Sequence, residues 1–100
     1  MYDFTKPKQK FLPVKLLNGK VVVLLPPNGY ILEAIQDLQS SKEDESVKVI
    51  YDILFEILNH NKNHVKISRD EILNYTISDI QNFITNDYMD FILSIQKNPN

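Results

Sequence analysis

The feature that most constrains this fold is the pair Asn18-Gly19, which separates two apolar runs in the segment FLPVKLLNGKVVVLLPP. Asn-Gly readily adopts the two positive φ angles of a type I′ turn, so the pair predicts a β-hairpin with strands over about 11–17 and 20–25. Pro13 cannot donate a ladder hydrogen bond, which places the first strand at a sheet edge. An isolated hairpin is marginal in water, so its apolar face must pack against the rest of the chain.

Two helices are predicted directly after the hairpin. Asn28 can cap a first helix over about 29–39, whose apolar residues recur at helical spacing. Ser40, with Glu43 three residues later, forms a capping-box pattern that opens a second helix ending near Leu58.

The second half of the chain predicts two further helices. The polar segment NHNKN at 59–63 ends the second helix, and HVKI reads as a short extended link. Ser68 is predicted to open a short helix through about Asn74, and Ser78 to open the last helix over about 79–96.

Together these elements predict an α+β, mostly α fold, in which an N-terminal β-hairpin is followed by three to four helices packed as a small bundle. Residues 1–10 are polar and basic around Pro7, so we expect a flexible N-terminal arm. Residues 11–98 are expected to form a single domain, because a chain of 100 residues can bury its own core.

Composition disfavours several classes of partner. Eleven Lys and Arg stand against thirteen Asp and Glu, for a net charge of -2, and no basic cluster is present to grip a phosphate backbone. We therefore expect no nucleic-acid partner. No stretch is apolar enough for a signal peptide or a membrane span, so a cytoplasmic protein without a membrane partner is expected.

Catalytic chemistry has little support in the sequence. His60 and His64 are the only histidines that could serve as a general base, and both lie in a polar loop. The two glycines, Gly19 and Gly29, are explained by turns, so no phosphate-binding loop is indicated. The carboxylates that could act as acids or bases are scattered over helix surfaces or lie in first turns, as with Glu43, Asp44, Asp70 and Asp79. We expect no enzyme, no metal site and no cofactor.

The sequence carries more apolar surface than one core stripe needs. In the second helix Val49 and Ile53 project outside that stripe, and Met89 and Leu93 do so in the last helix. Two explanations stay open. The hairpin or neighbouring helices could bury both pairs, or the pairs could form a hydrophobic contact surface for subunits or for a partner helix.

The order of elements resembles the small tail assembly chaperones of long-tailed, siphovirus-type bacteriophages that infect low-GC bacteria. The resemblance covers roughly residues 11–98. It rests on the hairpin LLNGKVVVLLPP, on the helix and Asn-rich loop in VIYDILFEILNHNKNHVKIS, and on YTISDIQNFITNDYMDFILSI.

The resemblance implies a non-enzymatic protein that binds the tape measure protein during tail assembly and is absent from the mature virion, acting in the cytoplasm of the host cell. In this family a programmed ribosomal frameshift commonly extends part of the product with a second domain linked to recruitment of the tail tube protein. The tripeptide Gln96-Lys97-Asn98 can be encoded by a slippery heptamer, while Pro99 is also expected to end the last helix. The main alternative is a small phage or bacterial regulatory or adaptor protein whose apolar surface forms a homo-oligomer.

Overall fold

A computed structural model describes residues 10–40 and 43–97, and the side chains of residues 39–40, 43–46 and 97 are left out of the description. The elements in chain order are β1 (Leu12–Lys15), β2 (Val21–Leu24), α1 (Gly29–Ser40), α2 (Glu43–Asn59), α3 (Arg69–Ile72), α4 (Ile77–Asn82), a π-helical segment (Phe83–Tyr88) and α5 (Met89–Lys97). The α+β, mostly α prediction is confirmed, with a two-stranded antiparallel hairpin followed by four helices when the last three segments are taken as one continuous helix.

The hairpin forms where the sequence predicts it, but its turn differs from the prediction. Gly19 has a φ of 87°, whereas Asn18 does not have a positive φ, so the turn is not type I′. The Gly19 N–H donates to the Leu16 C=O at 2.9 Å, and the Leu16 N–H donates to the Lys20 C=O at 2.8 Å. This pattern is a three-residue loop, in which a turn is followed by a left-handed glycine.

Strand β2 is paired on both of its edges. One edge meets β1, with Val14 opposite Val22. The other meets the loop after α2, because the Lys62 N–H donates to the Val23 C=O at 2.8 Å and the Leu25 N–H donates to the His60 C=O at 3.1 Å. The predicted edge position of β1 is therefore confirmed, and the polar loop contributes a third, strand-like row that the sequence analysis does not predict.

Side-chain capping explains where two of the helices start. The Ile31 N–H donates to Asn28 Oδ1 at 3.0 Å, and the Glu71 N–H donates to Ser68 Oγ at 3.2 Å, so both predicted caps are confirmed. The predicted cap at Ser78 is wrong, because Thr76 Oγ1 accepts from the Asp79 N–H at 3.3 Å. The earlier start adds a residue that packs against the core, Ile77.

Three predictions concern residues outside this description. The capping box of Ser40 and Glu43, the helix stop at Pro99 and residues 1–9 of the predicted arm all fall there. The one arm residue inside it, Lys10, donates from Nζ to the Ser94 C=O at 3.3 Å.

Helix α2 is the centre of the core. It packs against α1, α3, α4 and β2, so buried side chains occur around much of its circumference. Among the buried apolar residues are Val22, Leu24, Ile31, Ile50, Ile53, Leu54, Ile57, Leu58, Ile80 and Tyr88. A single predicted apolar stripe is therefore too narrow for this helix. Val47, which is predicted to lie on that stripe near the start of α2, is 51% exposed.

One residue of the link after α2 is conformationally strained. His64 has a φ of 57°, in the left-handed region that costs most L-residues about 1 kcal/mol. Its side chain is exposed. We expect His64→Gly to raise the free energy of unfolding by about 0.5 kcal/mol in urea titrations, because relief of strain outweighs the added flexibility of the unfolded chain. Lys66→Gly, at an exposed position without positive φ, should lower it, and equal effects at both positions would contradict the expectation.

Candidate partner-binding groove

The four residues that the sequence analysis assigns to a contact surface lie in different environments. Ile53 is 1% exposed, so neighbouring elements bury it, which is the first of the two explanations that the sequence leaves open. It is buried because α2 has neighbours on several sides. Val49 and Met89 are half-buried and pack against the core, while Leu93 is 45% exposed. These residues do not form one open apolar face.

The structure instead has a groove of about 410 Å³ between the hairpin and the last helix. One wall is the first strand with its flanking residues, 12–17. The floor includes the buried side chains of Leu54 and Leu58 from α2 and Ile80 from α4. The opposite wall consists of Tyr75, Asp79, Phe83 and Asp87.

The wall formed by β1 is an open strand edge. Both the N–H and the C=O of Val23 bond to the loop after α2, so the polar groups of Val22 on β2 point the other way, toward β1. Val14 is the partner of Val22, and alternation then directs the polar groups of Pro13 and Lys15 away from β2. Within the described part of the chain, neither the N–H of Lys15 nor the C=O groups of Lys15 and Pro13 have hydrogen-bond partners outside the hairpin.

A tyrosine shows that this strand edge faces the groove. The Leu17 N–H, next in the alternating series after Lys15, donates to Tyr75 Oη at 3.1 Å. The Tyr51 hydroxyl in turn donates to the Tyr75 C=O at 2.8 Å, which ties Tyr75 to α2. Strand and helical wall are therefore linked at the turn end of the groove, and both line it from there to Pro13 and Asp87.

The opposite wall presents two carboxylates. Asp79 and Asp87 are exposed, and the described residues provide no salt-bridge partner for either of them. Phe83 lies between them in sequence. Phe83 and Asp87 are four residues apart within the π-helical segment, which is about one helical turn, so both lie on the side of the helix that lines the groove.

A second depression, of about 540 Å³, lies between the start of α2 and α3. Its charged lining residues are Lys48, Asp52 and Arg69, and two of them are paired with each other. Arg69 Nη1 is 2.6 Å from Asp52 Oδ1, and the Arg69 guanidinium lies 4.4 Å from the centre of the Phe55 ring. The depression adjoins two helices, whose interior backbone groups bond within the helix. It therefore offers a partner fewer unsatisfied groups than the groove beside β1.

The groove has the composition of a binding site for a peptide. It combines a buried apolar floor, open backbone groups and two carboxylates, and such sets of groups recur where one protein binds a segment of another. No histidine lines it. Across residues 10–40 and 43–97, no group of three or more His, Cys, Asp or Glu side chains is arranged to hold a metal ion.

The groove is not predicted from the sequence, although the residues of its helical wall follow a recognisable spacing. Tyr75, Asp79, Phe83 and Asp87 recur every four residues, which is the spacing of neighbours on one helix face. That signal does not reveal the gap between the helix and β1, because the gap depends on how α2 separates the two.

The chain matches no protein-family model, no curated protein and no solved structure. In the part of the chain that the structure describes, no helix is both long enough and apolar enough to cross a bilayer.

Proposed function

We propose that this protein works by binding a segment of another protein in the groove beside β1. The observation that carries the proposal is the coincidence of an unpaired strand edge with a buried apolar floor of about 410 Å³ in volume. Exposed backbone donors and acceptors next to apolar surface are the features through which sheets bind peptides. Nothing in the groove provides a nucleophile with an adjacent base, so binding is the activity that its groups support best.

The partner that we propose is a tape measure protein, with this chain as a phage tail assembly chaperone in the cytoplasm of the host cell. The support is the resemblance of its hairpin, Asn-rich loop and last helix to that family. The tail tube protein is associated with a frameshifted longer form, so the experiment below concerns the tape measure protein alone.

The test compares two leucines that differ in position relative to the groove. Leu17 is 64% exposed and lines the groove, whereas Leu93 is 45% exposed and does not. A tape measure fragment from the gene next to this one should co-purify with the wild-type chain. Leu17→Gln should weaken that binding roughly tenfold, because it removes an apolar side chain from the contact without changing the charge of the groove. Leu93→Gln should change the affinity by less than about twofold.

Both variants alter exposed side chains, so their far-UV circular dichroism and melting temperatures should match the wild type. Loss of binding in Leu93→Gln alone would place the contact surface on α5 and contradict the groove. Absence of any tape measure complex would contradict the chaperone assignment.

A second candidate function is that of a self-associating adaptor protein. The observation that favours it is the exposure of two large apolar side chains of α1, Tyr30 at 82% and Leu32 at 42%, which project from different sides of the helix. An adaptor of this kind should form oligomers in sedimentation equilibrium that Tyr30→Glu dissociates. A monomeric wild-type chain would exclude it.

A further inference from the structure

We infer that the segment bound in the groove is extended and adds to the outer edge of β1 as a new strand, with Lys or Arg side chains that meet Asp79 and Asp87. This inference rests on the proposed binding function and specifies the conformation and chemistry of the partner segment. It follows from the geometry of the strand edge, from the width of the groove and from the charge of its far wall.

The backbone groups at the edge specify an extended partner. The Lys15 N–H and C=O point into the groove and have no partners among residues 10–40 and 43–97, and the Pro13 C=O points the same way. A neighbouring strand satisfies such groups with its own N–H and C=O at a spacing of about 4.8 Å. A bound helix cannot, because its interior backbone groups are already bonded.

The shape of the groove favours the same conformation. At the turn end the two walls are joined by the hydrogen bond of 3.1 Å between the Leu17 N–H and Tyr75 Oη. A helix with side chains is about 10–12 Å across, whereas a strand needs only the spacing of one sheet position. A single strand beside β1 therefore needs less space between the two walls than a helix would need.

The side chains around the groove specify the composition of the segment. Alternate residues of the added strand would face Leu54 and Leu58 on the floor, so they must be apolar. The charged residues of the groove lining are Asp79 and Asp87 on the helical wall and Lys15 on β1, so the lining is acidic on balance and favours Lys or Arg on the part of the segment that faces the two carboxylates. The inferred partner segment thus alternates apolar and basic residues.

A second copy of the chain fits this edge poorly. Pro13 lacks the N–H that a symmetric pairing of two β1 strands would use, and Lys15 of one copy would approach Lys15 of the other. In addition, the edge lies between the hairpin and the helical wall, and a second hairpin is wider than one strand. A single strand from another protein is narrower, and it does not bring a second Pro13 or a second Lys15 to the pairing.

The test titrates the full chain with the acetylated, amidated peptide Lys-Val-Lys-Val-Lys-Val-Lys and follows amide hydrogen exchange by NMR. The Lys15 amide should exchange at least roughly tenfold more slowly in the complex, because it gains a hydrogen bond. The Leu17 amide is an internal control, since it already donates to Tyr75. Unchanged exchange at Lys15 at saturating peptide, or no binding of this peptide, would overturn the inference.

Matched peptides separate strand pairing from charge attraction. Methylating the backbone nitrogens of the Lys residues and those of the Val residues gives two probes with identical side chains and opposite open edges. One of them should bind roughly tenfold more weakly than the other, because it cannot donate hydrogen bonds to the Pro13 and Lys15 C=O groups. Equal affinities would overturn strand addition.

A protein variant tests the charge. The double variant Asp79→Asn, Asp87→Asn should bind the Lys-containing peptide roughly fivefold more weakly at low salt, and high salt should remove most of that difference. Asp70→Asn, which alters an exposed carboxylate outside the groove, is the control. An equal loss in the control would show that the attraction is not specific to the groove and would overturn the basic partner.

The result for strand addition is separable from the result for the proposed function. A tape measure fragment that binds without protecting the Lys15 amide would leave the chaperone assignment standing and contradict strand addition. Conversely, peptides that protect Lys15 while no tape measure fragment binds would support the strand edge and contradict the chaperone. Protection of Lys15 in the free chain together with a dimeric mass would assign the edge to a second copy and contradict the inference.

Discussion

Replacing Asn61 with alanine is expected to lower the free energy of unfolding by about 3 kcal/mol. Asn61 is 7% exposed, and its side chain makes three hydrogen bonds to backbone groups. Nδ2 donates to the Leu58 C=O at 2.9 Å and to the Val65 C=O at 2.7 Å, and Oδ1 accepts from the Val65 N–H at 2.9 Å. Alanine leaves these backbone groups without partners, and each buried orphan costs about 1–3 kcal/mol unless water reaches it.

Urea denaturation of the variants provides the measurement. Asn74→Ala is the matched control, because the Asn74 side chain donates to the Asp70 C=O at 3.1 Å on the surface, and its loss should cost less than about 1 kcal/mol. Asn61→Asp keeps the shape of the side chain but cannot donate to two carbonyls, so it should destabilise at least as much as alanine at neutral pH. If Asn61→Asp is as stable as the wild type, the hydrogen bonds do not matter.

The asparagine-rich loop at 59–63 shows which contacts cannot be predicted from neighbouring residues alone. Asn59, Asn61 and Asn63 alternate, so they predict a polar turn, which is correct for the end of α2. In the folded chain Asn59 also bonds both backbone groups of Ile67, and Asn63 bonds the Val23 N–H and the Val21 C=O across the sheet. The partners of Asn63 on β2 are about forty residues away in sequence. Nothing near the loop in sequence therefore indicates that the loop pairs with β2 as a third row.

The successful predictions depend on a few adjacent residues. Pro13 lacks a donor wherever it lies, Gly19 provides a positive φ, and Asn28 and Ser68 cap the helices that begin directly after them. In each case the chemistry that decides the structure lies within one turn of the residue. The positions of the hairpin and of helix starts could therefore be obtained without knowledge of the packing.

Local sequence does not decide the structure where several elements meet. For Ile53 the helical pattern leaves burial and surface contact both open, and the packing of α2 by α1, α4 and β2 decides for burial. Thr76 and Ser78 are both followed three residues later by a residue suited to a capping box, so local chemistry does not choose between them. The groove belongs to the same class, because its width is the distance between β1 and the last helix.

The π-helical segment is organised around Tyr88, whose side chain is fully buried at 0% exposed. Its ring centre lies 5.8 Å from that of Phe83 and 6.1 Å from that of Phe91, and both pairs are tilted. Such pairs add to the free energy of burial. Desolvation by burial raises the pKa of the Tyr88 hydroxyl above its ordinary value, so the side chain is neutral throughout the physiological range. The pKa of the Tyr88 hydroxyl is higher in the folded chain than in the unfolded chain. The stability gained by burying the neutral Tyr88 side chain is therefore complete below about pH 10, and it declines as the pH rises further.

Tyr88→Ala is therefore expected to lower the free energy of unfolding by about 4 kcal/mol, measured in urea at neutral pH, because it removes a ring and leaves a cavity between two others. Tyr30→Ala is the control for the loss of a tyrosine as such: Tyr30 is 82% exposed, and its replacement should change stability by less than about 0.5 kcal/mol. Tyr88→Phe keeps the ring, so it should stay within about 1 kcal/mol of the wild type and should lose less stability than the wild type above about pH 10. A similar small loss for Tyr88→Ala and Tyr30→Ala would show that the π-helical segment does not depend on this ring.

Because Phe83 and Asp87 belong to the same segment and line the groove, Tyr88→Ala should also weaken peptide binding under conditions where the variant is still folded.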